Sequence, residues 1–324
     1  MDRKQISILR VLERAQTPLG AGKVAKELLN HGIELTERAV RYHLEVLDEL
    51  GLTEPMGRPG RSITDKGRHE VSEARVADKV GLIHAKLEAL AYLTTLDPTT
   101  GRGRVTLNIS FVPTEALKRA LVVIRPVANS RYATSRRVCV FQEGEWVGNQ
   151  VVPKGRAGIG TVCSVTTNGI LLKSGVPVES RFGGLLSIEG HAPRRFSELV
   201  HYGATSLDPI EVFIKSGSTS TSRAVSTGTG IIGASFREVP TVARDHVCRV
   251  LEQIVPWGLG GVIAIGSPSC PLFEVEVGPE RCGLVIAAGL NPIAAIEEAG
   301  IPTVSHALTT LVEFDQLVDV NELI

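Results

Sequence analysis

Arg38, Arg41 and Tyr42 lie close together in the stretch TERAVRYHLEVLDELGL, which begins at Thr36. A guanidinium presents paired N–H donors to a guanine edge or a phosphate, so two arginines and a phenol near the start of one helix are suited to reading a DNA major groove. Further on, Arg58 and Arg61 bracket Pro59-Gly60, a tight turn whose basic tip would reach phosphates or the minor groove. Lys23 and Lys26 add two cations placed to touch the DNA backbone. Thr36, also counted among the DNA-contacting residues, supplies a hydroxyl that can accept an orphan N–H at the helix start, and Gly51 stands where a left-handed cap would end it. The competing use of such a module is protein contact, which the arginines on both helix and turn argue against.

These side chains need a scaffold, and the flanking sequence provides one. Ile8, Leu9 and Leu12 pattern a first amphipathic helix over 3–15, and Val24, Ala25, Leu28 and Leu29 a second over 21–30. Val40, Leu44 and Leu47 bury one side of the third, and Ile63-Thr64 returns from the turn as a strand, with Asp65-Lys66-Gly67 turning out of it. Three helices followed by a basic hairpin make a winged helix-turn-helix over residues 1–68. Over 69–96 a connecting helix is expected. Its Val76, Val80, Ile83, Leu87 and Leu90 have heptad spacing, so it either pairs two subunits or lies on the domain that follows.

From residue 97 to 324 glycines and strands dominate, and the expectation is a mixed α/β effector domain, giving an α+β chain overall. RVTLNISFV reads as a half-buried strand with Val105, Leu107, Ile109 and Phe111 inward. Further strands are expected over 137–142, 160–165, 184–188, 210–214, 261–266, 272–277 and 283–287. Helices are expected over 114–124 (capped by Thr114), 241–255 and 292–299. A weak internal duplication pairs GIGTVCSV (158–165) with GLGGVIAI (258–265), and GGLLSIEG (183–190) with CGLVIAAG (282–289). Two related halves would face a cleft suited to a small molecule. The polar clusters after the paired strands, Thr166-Thr167-Asn168 and Ser267-Pro268-Ser269-Cys270, would offer neutral donors to it.

The run KSGSTSTSRAVSTGTGIIG (215–233) contains Gly228, Gly230 and Gly233 in dinucleotide-fingerprint spacing, but no strand precedes it and an extended segment follows, so that reading fails. It is either a surface linker or an anion-holding loop, with Arg223 or Arg237 as the charge. No nucleophile elbow, zinc-protease or phosphate-loop motif is present, and the expectation is a protein that is not an enzyme and binds no metal or cofactor. Lysine and arginine total 35, as do aspartate and glutamate, so nonspecific polyanion coating is not expected. Five cysteines without a CxxC pair point to a reducing compartment, with Cys163, Cys270 and Cys282 as core residues. A polar N-terminus and the lack of a long apolar run lead to the expectation of a cytoplasmic protein with no membrane partner.

At this point the residues resemble a known family. The winged helix with GRPGRSITDKG, then FVP, GTGIIGASFREVP and GLGGVIAIGSP, is similar to the NrpR nitrogen-responsive repressors. That resemblance implies a homodimer that binds operator DNA at nitrogen-assimilation genes and releases it when 2-oxoglutarate occupies the effector domain. The ligand would be held by Thr166, Thr167, Asn168, Arg223, Arg237, Ser267 and Ser269. Some family members carry two effector domains and this chain has one, which implies either a partner for full repression, such as a second NrpR-type subunit, or a different set of regulated genes. The alternative is a winged-helix regulator that answers another small molecule or a partner protein.

Overall fold

A computed structural model describes residues 3–15, 17–30, 33–71, 82–148 and 150–323. It resolves into two compact units, Met1–Val80 and Gly81–Ile324. Val76 and Val80 of the expected heptad lie outside the described residues.

In the first unit α1 (Arg3–Arg14), α2 (Ala21–Asn30) and α3 (Glu37–Glu49) are followed by the strands β1 (Thr53–Pro55) and β2 (Arg61–Ile63). Ile8, Leu9, Val24, Val40, Leu44 and Leu47 are fully buried and form one small core. The ends of α3 follow from its sequence. The Ala39 N–H donates to Thr36 Oγ1 at 3.2 Å, while Gly51 takes a φ of 70° and the Leu52 N–H reaches back to the Leu47 carbonyl. Asp65-Lys66-Gly67 does not simply turn out of the wing. It opens a helix, α4 (residues 65–71), because the Thr64 hydroxyl caps it by accepting the Gly67 N–H.

The second unit opens with α5 (Leu82–Leu93), whose Leu87, Leu90 and Ala91 pack with Cys163, Val165, Tyr202 and Leu308. Leu87 and Leu90 therefore belong to this unit's interior rather than to a pairing seam. Ten strands form two five-stranded sheets, in the orders β13-β3-β7-β4-β14 and β11-β12-β10-β8-β9. The first sheet is built from β3 (Arg104–Pro113), β4 (Arg137–Phe141), β7 (Arg156–Val162), β13 (Val304–Glu313) and β14 (Val318–Asp319). The second is built from β8 (Glu179–Glu189), β9 (Ala192–His201), β10 (Gly230–Pro240), β11 (Val262–Ile265) and β12 (Arg281–Ala287). A separate hairpin of β5 (Trp146–Val147) and β6 (Gln150–Val151) stands outside both.

The duplication is present, but its halves pair differently from the expectation. The series β3, α6 (Leu117–Ala128), β4, β7, α7 (Val165–Lys173), β8 recurs as β10, α10 (Arg244–Ile254), β11, β12, α11 (Asn291–Glu298), β13. Val112-Pro113-Thr114 and Val239-Pro240-Thr241 make the same strand-to-helix corner, so 158–162 corresponds to β12 and not to 258–265. Glycine-rich sequence misled the alignment because glycine does two different jobs there. A Cβ on Gly160 would meet Cys139 Sγ at 2.4 Å across the sheet face, whereas Gly261 turns the chain at a φ of 75°. The last strand of each half crosses over, β8 pairing with β10 and β13 with β3.

Several local expectations are corrected. β3 is buried on both faces, since Thr106, Asn108 and Ser110 are as inaccessible as their apolar neighbours. Residues 210–214 are helical, in α8 (Pro209–Lys215), because Asp208 caps a start with proline at its first position. Residues 272–277 do not form a strand, for Phe273 and Glu274 take φ values of 52° and 64° and bend the chain. Thr114 makes no cap, and a 3-10 turn precedes α6. Thr166-Thr167-Asn168 lies in α7 rather than in a turn after a strand. Cys270 is exposed, while Cys163 and Cys282 are buried.

Candidate functional site

In the first unit Arg38, Arg41 and Tyr42 stand on the solvent face of α3, opposite the buried Val40, Leu44 and Leu47. Tyr42 is 63% exposed, and Arg41 leans on Glu37 one turn back at 2.7 Å. Thr36 is occupied in capping this same helix start. Lys23 and Lys26 are exposed on α2, and Arg58 is exposed at the tip of the wing. Arg61 differs. Its Nε donates to Asp48 Oδ2 at 2.7 Å, while its backbone exchanges two hydrogen bonds with Leu19. It therefore braces the wing against α3. The Thr53 hydroxyl donates to Asp48 Oδ1 at 2.5 Å, so one carboxylate ties both wing strands to the helix.

The second unit holds a cavity lined by residues of both halves, among them Asn108, Ser164, Ser235, Tyr202 and Asp208. Its open volume is about 20 Å³, room for about one water. Arg237, on β10, does not line this cavity but lies beside it and holds two residues that do. Ser235 and Arg237 share a strand face, with Nη1 donating to Ser235 Oγ at 2.6 Å and Nη2 to Ser164 Oγ at 2.9 Å. A bulge in the β8 pairing falls at Phe236/Arg237, a device that re-aims side chains. Arg237 is 1% exposed and its Nε has no hydrogen-bond partner. Among the described residues it forms no ion pair with a carboxylate, and burial pulls its pKa down. A buried guanidinium without a counter-charge is costly, and an arriving anion would remove that cost.

Other ionisable groups near the cavity are perturbed by the same desolvation. Burial pushes the Asp208 carboxyl up despite the Ile210 and Glu211 N–H groups it accepts, and raises Tyr202 as well. The Cys163 thiol is pushed up to about 11 and stays protonated at neutral pH. Glu211, whose carboxylate accepts the Ala307 N–H, is pushed up to about 7 by burial and by Asp208.

Of the residues expected to hold a ligand, none lines this cavity, and only Arg237 lies beside it, through Ser164 and Ser235. Thr166 and Asn168 are buried in α7, and neither lines this cavity. Thr166 Oγ1 accepts the Thr106 N–H, and Asn168 Nδ2 donates to Ser180 Oγ at 2.8 Å. Thr167, on the same helix, is also buried. Ser267 and Ser269 follow β11, where Ser269 ties the turn to Glu280 and Arg281. Arg223 sits on a short helix, α9 (Thr221–Thr227), and donates to the Thr229 carbonyl. The hydroxyl-rich loop does hold an anion, but the anion is the chain's own Glu298, which accepts from Thr219 Oγ1 and the Thr221 and Ser222 N–H groups.

Asn108, Ser164, Ser235, Tyr202 and Asp208 were missed by sequence reasoning. Two signals were available: the Asp-Pro start at 208–209, and the polar alternation of Thr106, Asn108 and Ser110. Among the described residues no cluster of histidine, cysteine and carboxylates is arranged to hold a metal, and no helix is long and apolar enough to cross a membrane.

Comparison with known proteins adds to this geometry. A family profile described as NrpR regulatory domains NRD1 and 2 matches residues 80–319, and one described as the ribonuclease R winged-helix domain matches residues 6–71. The global nitrogen regulator NrpRI of Methanosarcina mazei is 36% identical over 320 residues, which is 99% of this chain and 98% of that protein. The global nitrogen regulator NrpR of Methanococcus maripaludis is 28% identical over 96% of this chain and 54% of its own length. Its counterpart in Methanocaldococcus jannaschii is 29% identical over 98% and 55%. This chain thus spans about half the length of those two relatives. The crystal structure of a nitrogen repressor-like protein from Methanococcus jannaschii superposes with a TM-score of 0.62 at 29% identity, covering 73% of this chain and 97% of that one.

Proposed function

Since this chain belongs to the NrpR family, a family of regulators rather than enzymes, we propose that it represses nitrogen-assimilation genes by binding operator DNA and lets go when 2-oxoglutarate occupies its effector unit. The acting species is a homodimer, which sets two α3 helices on the half-sites of a palindrome, with a second NrpR-type subunit as the further partner for full repression. Arg38, Arg41 and Tyr42 read the major groove, Arg58 reaches out from the wing, and Lys23 and Lys26 meet phosphates.

The observation that carries the effector assignment is Arg237, a buried cation with an unused N–H edge and no carboxylate paired to it. A dicarboxylate supplies the missing charge, and Ser164 and Ser235 already hold the guanidinium in place. With room for about one water, the cavity must widen to admit a five-carbon acid. The ligand thus favours an open state over the closed one, and the difference in affinity is what shifts the population away from DNA. Cys163 contributes packing at this wall, since its thiol is kept protonated.

The test is binding of the purified protein to its own upstream DNA at fixed salt, with and without millimolar 2-oxoglutarate. The wild type is expected to bind and then release. Arg41→Ala should weaken DNA binding by about 1–3 kcal/mol and leave ligand binding intact. Arg237→Met, which keeps the length and removes the charge, should bind DNA and ignore the ligand. Release of Arg237→Met at the wild-type 2-oxoglutarate concentration would move the site elsewhere, and wild-type binding that ignores 2-oxoglutarate would require another effector.

A further inference from the structure

A second cavity of about 300 Å³ lies between α5, α7 and the start of β8. Leu87, Leu172 and Val178 give it an apolar wall, and His84, Glu88, Glu179 and Arg281 a charged rim. Asn168 lines it from below at 5% exposure, and its Oδ1 is buried with no hydrogen-bond partner. Such an orphan needs an occupant, because a buried acceptor left unmade costs its full desolvation.

The rim is loosely paired in the same way. Arg281 Nη2 stands 3.7 Å from Glu179 Oε2, and His84 Nε2 stands 3.5 Å from Glu88 Oε1, both longer than ordinary hydrogen bonds. His84 Nδ1 is also buried without a partner. These groups line one cavity with hydrogen-bonding capacity to spare. Two carboxylates against one guanidinium leave the rim negative, which disfavours phosphate and simple dicarboxylates and favours a ligand with an ammonium group. Arg281 still offers a fork for a carboxylate.

We propose that this cavity binds a free amino acid with an uncharged side chain. Its ammonium group donates to Asn168 Oδ1 and the neighbouring glutamates, its carboxylate meets Arg281, and its side chain lies on Leu87, Leu172 and Val178. If the Asn168 amide is turned the other way, so that Ser180 donates to it, the atom left over is a donor, and the same ligand meets it with its carboxylate. Leu87 also lines the cavity near Arg237, so an occupant here bears on a wall of that one. The helix it sits beneath, α5, is the first element of the second unit.

The test uses the full chain without DNA and without 2-oxoglutarate. Each of the twenty free L-amino acids is added at 5 mM in a thermal-shift assay, and positives are titrated by calorimetry. At least one uncharged amino acid is expected to raise Tm by about 2 °C or more, with a Kd near or below about 1 mM. Asn168→Ala and Arg281→Gln should each weaken that binding about tenfold or more. Because Asn168 also supports Ser180, Glu88→Gln on the exposed face of α5 is the control that folds regardless, and it too should weaken binding. The proposal is overturned if none of the twenty shifts Tm, or if a binder keeps its affinity in Glu88→Gln and Arg281→Gln.

Discussion

Glu211 shows what a single buried carboxylate does to this molecule. It accepts the Ala307 N–H from β13, yet burial and the neighbouring Asp208 push its carboxyl up to about 7. A carboxyl whose folded pKa is raised holds its proton more tightly in the folded state. The stability this gives is complete below the unfolded value near 4.5 and is lost as pH rises through about 7. Glu211→Gln keeps an acceptor for Ala307 and removes the charge. The variant is expected to gain about 1–3 kcal/mol over the wild type at pH 8 and little at pH 5. Melting curves between those pH values check this, and parallel curves for the two proteins would contradict it. A nearby histidine acts in the opposite sense. His306 is lowered by burial and by Lys86, so its contribution is lost as pH falls. None of this was legible in the sequence, where Glu211 read as part of a strand. Arg237 was legible as a charge beside a polar loop, but not as a residue buried inside a sheet.

At the scale of elements, the sequence was clearest where local chemistry decides the outcome. Thr36 and Gly51 bound α3 as their types require, and the apolar spacing of the first three helices matches their buried faces except at Leu29, which is 60% exposed. It was least clear where tertiary packing decides. The alternation in PLFEVEV suggests a strand, but two residues at positive φ bend it, and the hydroxyl-rich run hides a short helix whose start is held by Glu298 from another element. The wing depends on a similar long-range tie. Asp48 receives Thr53 from β1 and Arg61 from β2, and no periodicity announces that pairing. Asp48→Ala is expected to loosen the hairpin by about 1–2 kcal/mol, the worth of a charge-assisted pair that is partly exposed. Hydrogen exchange over 53–63 should then quicken about tenfold while β3 is unaffected. Unchanged exchange would mean that the backbone bridge between Leu19 and Arg61 holds the wing alone.

For the whole molecule, the consequential feature is the exchange of strands between the halves of the second unit. β8 leaves the first half to pair with β10, and β13 leaves the second to pair with β3. Two matching clamps secure the neighbouring helices. Thr166 in α7 binds the backbone of Thr106, and Asn291 in α11 binds both the N–H and the carbonyl of Gly233, so each helix is pinned to the first strand of its own half. Neither half can unfold and leave a complete sheet behind, because each sheet would lose a strand to the other's departure. The unit should therefore open cooperatively. The two sheets carry natural reporters for this, Cys139 on β4 and Cys282 on β12, both buried. In urea, brief thiol labelling of the full chain followed by peptide mass spectrometry should show both cysteines becoming reactive at the same denaturant concentration, within about 0.3 M. Midpoints that differ by about 1 M would mean that the halves open separately, and an effector could then act on one half alone. A shared midpoint means that the two sheets open as one cooperative unit, so that a ligand bound at Arg237, as proposed, would be felt by both.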